Sequence, residues 1–262
     1  MKKGICQGCL PGDTAAAKFK LAKEAGFDGV EIHAVDDEKA VLDLKKLADE
    51  HGLEIPSIMG GPHWSHPLSS PDPIVRKHCS DSFTKTLHHA RLIGADTVLL
   101  VPGVVTDDVP YEDAWDRSLD EVRALAGIAE KQEVFLAIEN VWSKFLLSPI
   151  ETVRFLDEVG SPFVKAYFDC GNIVSYGYPQ HWICSLGDRI VKIHVKGFTQ
   201  FPNVAFPNSL DSDVPWAECR AAWQQIGYDD YLTVEIGSDP KDAEGSIHLY
   251  AQQLDRIIAG AQ

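Results

Sequence analysis

The feature that most constrains the fold is a regular alternation of short apolar segments with longer segments of helical periodicity. The apolar segments are rich in β-branched residues and end in Gly, Asn or Pro, which is typical of buried strands. Eight strands are predicted, at residues 4–9, 29–34, 55–59, 97–102, 134–141, 164–170, 190–195 and 231–236. Eight helices are predicted to follow them, beginning near Thr14, Asp37, Asp72, Tyr111, Pro149, Pro179, Val214 and Ala243.

Strands that alternate with helices form right-handed βαβ units around a parallel sheet. Eight such units favour a closed (β/α)8 TIM barrel over an open, doubly wound sheet. The open sheet usually carries a Gly-rich phosphate-binding turn after its first strand, whereas residues 8–12 read Gly-Cys-Leu-Pro-Gly. The sequence contains no evident linker, and its 262 residues match the roughly 250 typical of barrels. We therefore predict one TIM-barrel domain over residues 1–262.

The formal net charge of −15 excludes several classes of partner. Nucleic-acid backbones and anionic membranes are bound by clustered Lys and Arg, and the longest basic runs here are pairs. The sequence has no apolar run of roughly 18 residues that could span a membrane. Its first residues are too polar for a signal peptide. We expect a cytoplasmic protein that binds neither nucleic acid nor membranes.

Six cysteines are present, and two of them form the C-x-x-C sequence Cys6-Gln7-Gly8-Cys9. No second pair follows at zinc-ribbon spacing, which weakens a zinc interpretation. A redox pair remains as the other alternative. We favour two ordinary thiols at the end of a strand in a reducing compartment.

One ionisable residue ends each of the last four predicted strands: Glu139, Asp169, His194 and Glu235. In a closed parallel barrel these strand ends are neighbours, so three carboxylates and an imidazole would converge. Carboxylates at short range repel each other, and either protonation or a bound cation relieves that repulsion. Oxygen donors with one nitrogen suit Mn²⁺, Mg²⁺, Co²⁺ or Zn²⁺. A hydrogen-bonded polar plug is the alternative, but four such strand ends in succession favour a metal site.

The motifs around these residues are Ile138-Glu139-Asn140, Phe168-Asp169-Cys170-Gly171-Asn172, Ile193-His194-Val195-Lys196 and Val234-Glu235-Ile236-Gly237. As a set, and over essentially the whole chain, they resemble the xylose-isomerase-like barrel superfamily of sugar isomerases and epimerases. The resemblance implies that Glu139, Asp169, His194 and Glu235 bind one divalent metal, with Mn²⁺ as first choice. It also implies that Glu139 and Glu235 are the catalytic acid and base.

The mechanism implied by this resemblance is proton transfer at a carbon next to a carbonyl group. The metal would chelate the carbonyl oxygen and an adjacent hydroxyl, which acidifies the neighbouring C–H. One glutamate would remove that proton to give a cis-enediolate, and the other would return a proton from the opposite face. Return to the same carbon is epimerisation, and return to the neighbouring carbon is ketose–aldose isomerisation.

Differences between this sequence and related families narrow the choice of branch within the superfamily. Endonuclease IV has a similar fold but carries a histidine where this chain has Asn172, and residues 197–213 lack its expected Asp-x-His. Ketose 3-epimerases for free sugars usually carry histidine at the same place and arginine where this chain has Gln200. The Asp-x-Gly-Asn form is more similar to the pentulose-phosphate 3-epimerase and hexulose-6-phosphate isomerase branch. The sugar and its phosphorylation stay open.

Four further residues are candidates for substrate binding. Lys196 lies two residues past His194 and points the same way on a strand, toward either a substrate group or a carboxylate at the barrel mouth. Trp142 could form a wall of the pocket or pack within its loop. His63 belongs to the irregular loop after the third strand, where a solvated side chain is the alternative. We include Asn172 with these three.

Glu31 and His33 share one face of the second predicted strand, because side chains alternate with a period of two. One of them could point into the barrel mouth. We expect a hydrogen bond to a metal ligand there rather than direct coordination.

The leading functional hypothesis is a metal-dependent sugar or sugar-phosphate isomerase or epimerase, with ketose 3-epimerisation as first choice. A dehydratase of the inosose or 3-dehydroshikimate type is an alternative, because it shares the fold, the metal and the first proton abstraction. A non-catalytic sugar-binding protein is another, although binding alone does not require two opposed bases. Homo-oligomers are common among such barrels, but no single patch in the sequence indicates one.

Overall fold

A computed structural model describes residues 1–260, in which eight parallel strands close into a barrel in chain order. Each strand pairs with the next, and the last pairs with the first. The strands are β1 (Lys2–Cys6), β2 (Gly29–His33), β3 (Ser57–Met59), β4 (Thr97–Leu100), β5 (Phe135–Glu139), β6 (Val164–Asp169), β7 (Ile190–Val195) and β8 (Tyr231–Val234). The closed sheet confirms the TIM-barrel prediction and excludes the doubly wound alternative.

Eight α-helices in the described residues alternate with the strands. They are α1 (Ala15–Ala25), α2 (Glu38–His51), α3 (Pro73–Ile93), α4 (Tyr111–Gln132), α5 (Pro149–Val159), α6 (Pro179–Leu186), α7 (Trp216–Ile226) and α8 (Ala243–Ala259). Across residues 1–260, none of the helices has the length and apolar character needed to cross a membrane.

Local sequence explains most of the helix starts. Ser148 and Glu151 form a capping box at α5, and Pro149 occupies its first turn. Thr14 caps α1, because its hydroxyl accepts a hydrogen bond from the backbone N–H of Ala17. Helix α7 begins at Trp216, two residues later than predicted, after Pro215 at the N-cap.

The end of the barrel opposite the predicted site is closed by an ion-pair cluster. Lys192 of β7 is almost fully buried, and its Nζ lies 2.8 Å from Asp96 and 2.6 Å from Asp230. These aspartates directly precede β4 and β8, so they mark the amino-terminal rim of the sheet. The opposite rim, at the carboxyl ends of the strands, is the face where barrels of this kind carry their active sites.

We expect the helical layer to depend on aromatic packing between α4, α5 and the loop after β5. Phe155 of α5 is fully buried and packs edge-on against Trp115 and Phe145. Phe155→Ala should lower the free energy of unfolding by about 3–5 kcal/mol, because it leaves a cavity between these rings. Urea denaturation followed by circular dichroism measures this loss.

The matched control is Phe201→Ala, since Phe201 is 84% exposed. Its effect should stay within about 0.5 kcal/mol. Equal effects of the two substitutions would contradict the packing described here.

Candidate active site

The carboxyl ends of β5 to β8 bring together the four side chains that the sequence predicts as metal ligands. Glu139 and Asp169 are the last residues of β5 and β6, His194 lies within β7, and Glu235 directly follows β8. Its backbone N–H still donates to the carbonyl of Val195, at 3.1 Å, which holds Glu235 against β7. One donor atom from each of the four lies within 4.8 Å of the others.

His194 is the centre of this cluster. Its Nδ1 lies 2.9 Å from Glu139 Oε1 and 3.9 Å from Glu235 Oε2. The imidazole is fully buried, whereas Glu235 is 26% exposed and forms the side of the cluster that is open to solvent. Both glutamates therefore lie near one ring nitrogen, and Glu235 is the more exposed of the two.

The second ring nitrogen of His194 is bonded to Glu31. Glu31 Oε2 lies 2.8 Å from His194 Nε2 and accepts a hydrogen bond from the Cys6 thiol at 3.1 Å. Its Oε1 accepts from the Ser57 hydroxyl at 2.8 Å. These contacts satisfy the buried carboxylate by hydrogen bonding, as expected for a residue that orients a ligand. The predicted hydrogen bond is thus confirmed for Glu31, whereas His33 is exposed.

Burial and neighbouring charges together set the pKa values of the cluster. Burial raises the pKa of Glu139 to about 7, against the opposing effect of the hydrogen bond to His194. It raises the pKa of Asp169 in the same way, partly offset by Lys196. Burial alone would lower the pKa of His194, but the carboxylates of Glu31 and Glu235 raise it well above its usual range. The site is therefore an anionic environment that favours bound positive charge.

Lys196 supplies part of that positive charge. Its Nζ lies 2.5 Å from Glu235 Oε2 and 3.3 Å from Asp169 Oδ2, and it faces the Phe206 ring at 5.1 Å from the centroid. The salt bridge to carboxylates at the barrel mouth is confirmed. A contact between Lys196 and substrate stays a prediction.

The donor chemistry fits a divalent cation. Among residues 1–260, the carboxylates of Glu31, Glu139, Asp169 and Glu235 contact one ammonium and one imidazole. Asp169 Oδ2 is buried and forms no hydrogen bond within the described chain, although it lies near Lys196. Such an unsatisfied carboxylate oxygen, beside two glutamates and an imidazole, suits a divalent cation.

Two asparagines fix the spacing of the ligand-bearing strands, and the sequence interpretation missed this role for Asn140. The Asn140 amide donates to the Asp169 carbonyl and accepts from the Asp169 N–H, both at 2.8 Å. Asn172 donates its side-chain N–H to the Asn140 carbonyl at 3.0 Å, and its backbone N–H donates to Asp169 Oδ1 at 2.7 Å. Asn172 thus binds the protein's own loops. Its predicted contact with substrate is not tested by these bonds.

Trp142 lies at the rim of the mouth, where it is 46% exposed. Its indole donates to the Asn172 carbonyl at 2.8 Å, and its ring packs on Phe206 and Phe198 with centroids 5.1 and 6.2 Å away. These three rings, with Phe206 facing Lys196, form an aromatic wall beside the cluster. The geometry is compatible with the predicted pocket wall.

His63 lies in the loop after β3 and is buried rather than solvated. Its ring stacks on Phe83 with centroids 6.0 Å apart, and burial lowers its pKa to about 4. The imidazole is therefore neutral near pH 7, and its buried Nδ1 forms no hydrogen bond within the described residues. A contact between His63 and substrate stays a prediction.

Comparison with family models assigns this barrel to a protein family. Residues 19–257 match the family model described as xylose isomerase-like TIM barrel. The chain belongs to that family. The match covers β2 to β8 and all four clustered residues, so it confirms the resemblance inferred from the motifs.

The relatives are named as sugar epimerases. SgbU of Escherichia coli, provisionally named as an L-ribulose-5-phosphate 3-epimerase, is 30% identical over 231 residues, or 82% of this chain and 79% of SgbU. D-psicose 3-epimerase of Ruminiclostridium cellulolyticum is 28% identical over 83% of this chain and 77% of its own. These names confirm the prediction of an enzyme of the isomerase class.

Solved structures agree on the fold. The structure of D-psicose 3-epimerase with D-tagatose from Clostridium cellulolyticum H10 has a TM-score of 0.78 at 22% identity, covering 99% of this chain and 96% of that one. A D-tagatose 3-epimerase-like protein reaches 0.84 at 18% identity, with 98% of each chain covered. At such identities the likeness shows the fold alone.

The contacts of Glu31 generate a prediction about metal binding. Glu31→Gln replaces one carboxylate oxygen by an amide donor, so the side chain can no longer accept from both Ser57 and His194. Affinity for Mn²⁺ should fall by about 10- to 100-fold, because the amide cannot orient His194 and accept from Ser57 at the same time. Isothermal titration calorimetry measures the change. The exposed Glu50→Gln on α2 is the control, and equal affinities in the two variants would refute the orienting role.

Proposed function

We propose that this chain is a divalent-metal-dependent epimerase that inverts C3 of a ketose. The observation that carries the proposal is the convergence of Glu139 and Glu235 on His194 Nδ1, at 2.9 and 3.9 Å. The two carboxylates come from β5 and from the end of β8, strands that β6 and β7 separate in the barrel, and such a pair suits the removal of a proton from one face of a carbon and its return to the other. The names of SgbU and D-psicose 3-epimerase support the choice of C3.

Glu139, Asp169, His194 and Glu235 would hold the metal, with Mn²⁺ as first choice and Mg²⁺, Co²⁺ or Zn²⁺ as alternatives. When bound, such an ion polarises a carbonyl and makes the adjacent C–H more acidic. Asp169 and His194 are fully buried and serve as ligands in this proposal. Glu139 and Glu235 have a second function as acid and base.

Proton transfer then needs one ionised and one protonated glutamate. The ionised carboxylate takes the C3 proton, and the electron pair left on C3 delocalises into the carbonyl to give an enediolate. The protonated glutamate delivers its proton to C3 from the opposite face. The configuration at C3 is inverted, and the two glutamates have exchanged protonation states.

Substrate orientation is assigned to the residues around the cluster. Trp142 presents a half-exposed ring at the mouth, which could cover the apolar face of a sugar. Lys196, Asn172 and His63 are proposed as polar contacts. The relatives include an enzyme named for a phosphorylated ketose and one named for a free ketose, so we propose the class of ketose and leave phosphorylation to experiment.

Solvent exchange in D₂O tests the reaction and both acid–base residues. Protein with Mn²⁺ should introduce deuterium at C3 of a ketose from a panel that includes L-ribulose 5-phosphate and D-psicose, and a second diastereomer should appear by NMR. Glu139→Gln and Glu235→Gln should each lower turnover by at least about 100-fold, because the amide cannot exchange a proton.

The control for this experiment is Glu244→Gln, an exposed glutamate in the first turn of α8. It should keep the turnover of the unaltered chain. Deuterium at C1 with an aldose product would instead indicate an isomerase. Unimpaired turnover in either site variant would overturn the assigned roles.

Metal removal provides a separate test. Dialysis against EDTA should reduce turnover to background, because the clustered carboxylates lose the ion that polarises the substrate. Added Mn²⁺ should restore it in proportion to the metal bound, as measured by atomic emission. Full activity in protein shown to be free of metal would contradict the proposal.

A further inference from the structure

Lys196 contacts two carboxylates that are also candidate ligands for a metal ion. Its ammonium bridges Glu235 Oε2 at 2.5 Å and Asp169 Oδ2 at 3.3 Å. Both carboxylates belong to the group of four whose donor atoms lie within 4.8 Å of one another. The positive charge of Lys196 is therefore placed directly against two of the four candidate ligands.

Gly171 leaves the space that the Lys196 side chain occupies. A Cβ at Gly171 would lie 2.6 Å from Lys196 Cγ and 2.6 Å from the Lys196 carbonyl oxygen, closer than real contacts allow. The absence of that Cβ lets the lysine stem pass beside the Asp169 strand end. Beyond Cγ the side chain has flexible methylene groups, so the ammonium can move while the stem stays in place.

The Phe206 ring offers the ammonium a contact other than its two carboxylates. Nζ lies 5.1 Å from the centroid of this ring, which is 42% exposed at the mouth. An aromatic face attracts a cation, and an ammonium there would remain partly hydrated. Lys196 can thus leave its carboxylates without leaving the site.

We propose that Lys196 is an internal counter-cation that competes with the divalent metal for Asp169 and Glu235. Without metal, its ammonium offsets the repulsion between these buried carboxylates. A divalent ion bound by the same oxygens displaces the ammonium toward the Phe206 side of the mouth. This inference rests on the metal site of the proposed function and adds to it a residue that limits metal affinity.

The opposite role is a lysine that holds the ligands in place for the metal. The two roles predict opposite changes in metal affinity when Lys196 is replaced by an uncharged residue. A positioning lysine is needed for tight binding, so its loss weakens metal affinity. A competing cation opposes binding, so its loss strengthens metal affinity.

The experiment measures Mn²⁺ affinity directly, from the electron paramagnetic resonance signal of free Mn²⁺, at low ionic strength and fixed pH. Lys196→Met should bind Mn²⁺ about tenfold more tightly or better, since close charge pairs couple by at least this factor. Lys196→Arg keeps the charge and should stay near the affinity of the unaltered chain. Lys144→Met, which removes an exposed lysine from the loop after β5, should leave affinity unchanged.

Thermal unfolding with and without Mn²⁺ gives a second readout. Metal-free Lys196→Met should unfold at a lower temperature than the unaltered chain, because the carboxylates lose their counter-charge. Mn²⁺ should then raise its unfolding temperature by more than it raises that of the unaltered chain. If Lys196→Met proves insoluble, Lys196→Gln serves the same purpose.

The outcomes separate this inference from the proposed function. Equal or weaker Mn²⁺ binding in the neutral Lys196 variant, with epimerisation intact in the unaltered chain, overturns the competition and leaves the function standing. Failure of the unaltered chain to bind any of Mn²⁺, Mg²⁺, Co²⁺ and Zn²⁺ overturns both. Tighter binding in the neutral variant, with Lys196→Arg unchanged, supports the competition whichever sugar is the substrate.

Discussion

Burial of negative charge is the constraint on which the rest of this site depends. Glu31, Glu139 and Asp169 are buried at the upper end of the barrel, and each carboxylate taken out of water needs a donor or a cation. Glu31 meets that need with a thiol, a hydroxyl and an imidazole. Asp169 keeps one oxygen without a hydrogen bond in the described residues. This difference separates a carboxylate that orients from one that is suited to bind an ion.

Strand β7 and the residue after it supply the compensating groups at three levels. Side chains alternate along an extended chain, so Lys192 and His194 of β7 and Lys196, which directly follows it, project from the same side. Lys192 pairs with two aspartates at the lower rim, His194 with glutamates in the middle, and Lys196 with carboxylates at the mouth. One segment therefore carries the basic groups around which acidic residues from five other parts of the chain are arranged.

The sequence was sufficient for the barrel and for the four converging residues, because both follow from strand periodicity and from the common direction of parallel strands. It could not give the contacts that depend on side-chain rotamers. The bonds of Asn140 to the Asp169 backbone and the stacking of His63 on Phe83 join residues far apart in sequence. The predicted β8 was also two residues too long, because the apolar Ile236 continues the strand-like sequence pattern beyond the end of the strand.

The paired amide of Asn140 has a consequence for how such a site can change. Its two bonds to the Asp169 backbone extend the ladder between β5 and β6 with a side chain, so the separation of these strand ends is set before the loops begin. The loop residues that follow Trp142 and Ile173 can then vary in length and composition without altering that separation. Evolution can therefore remodel these loops while the spacing of Glu139 and Asp169 is preserved.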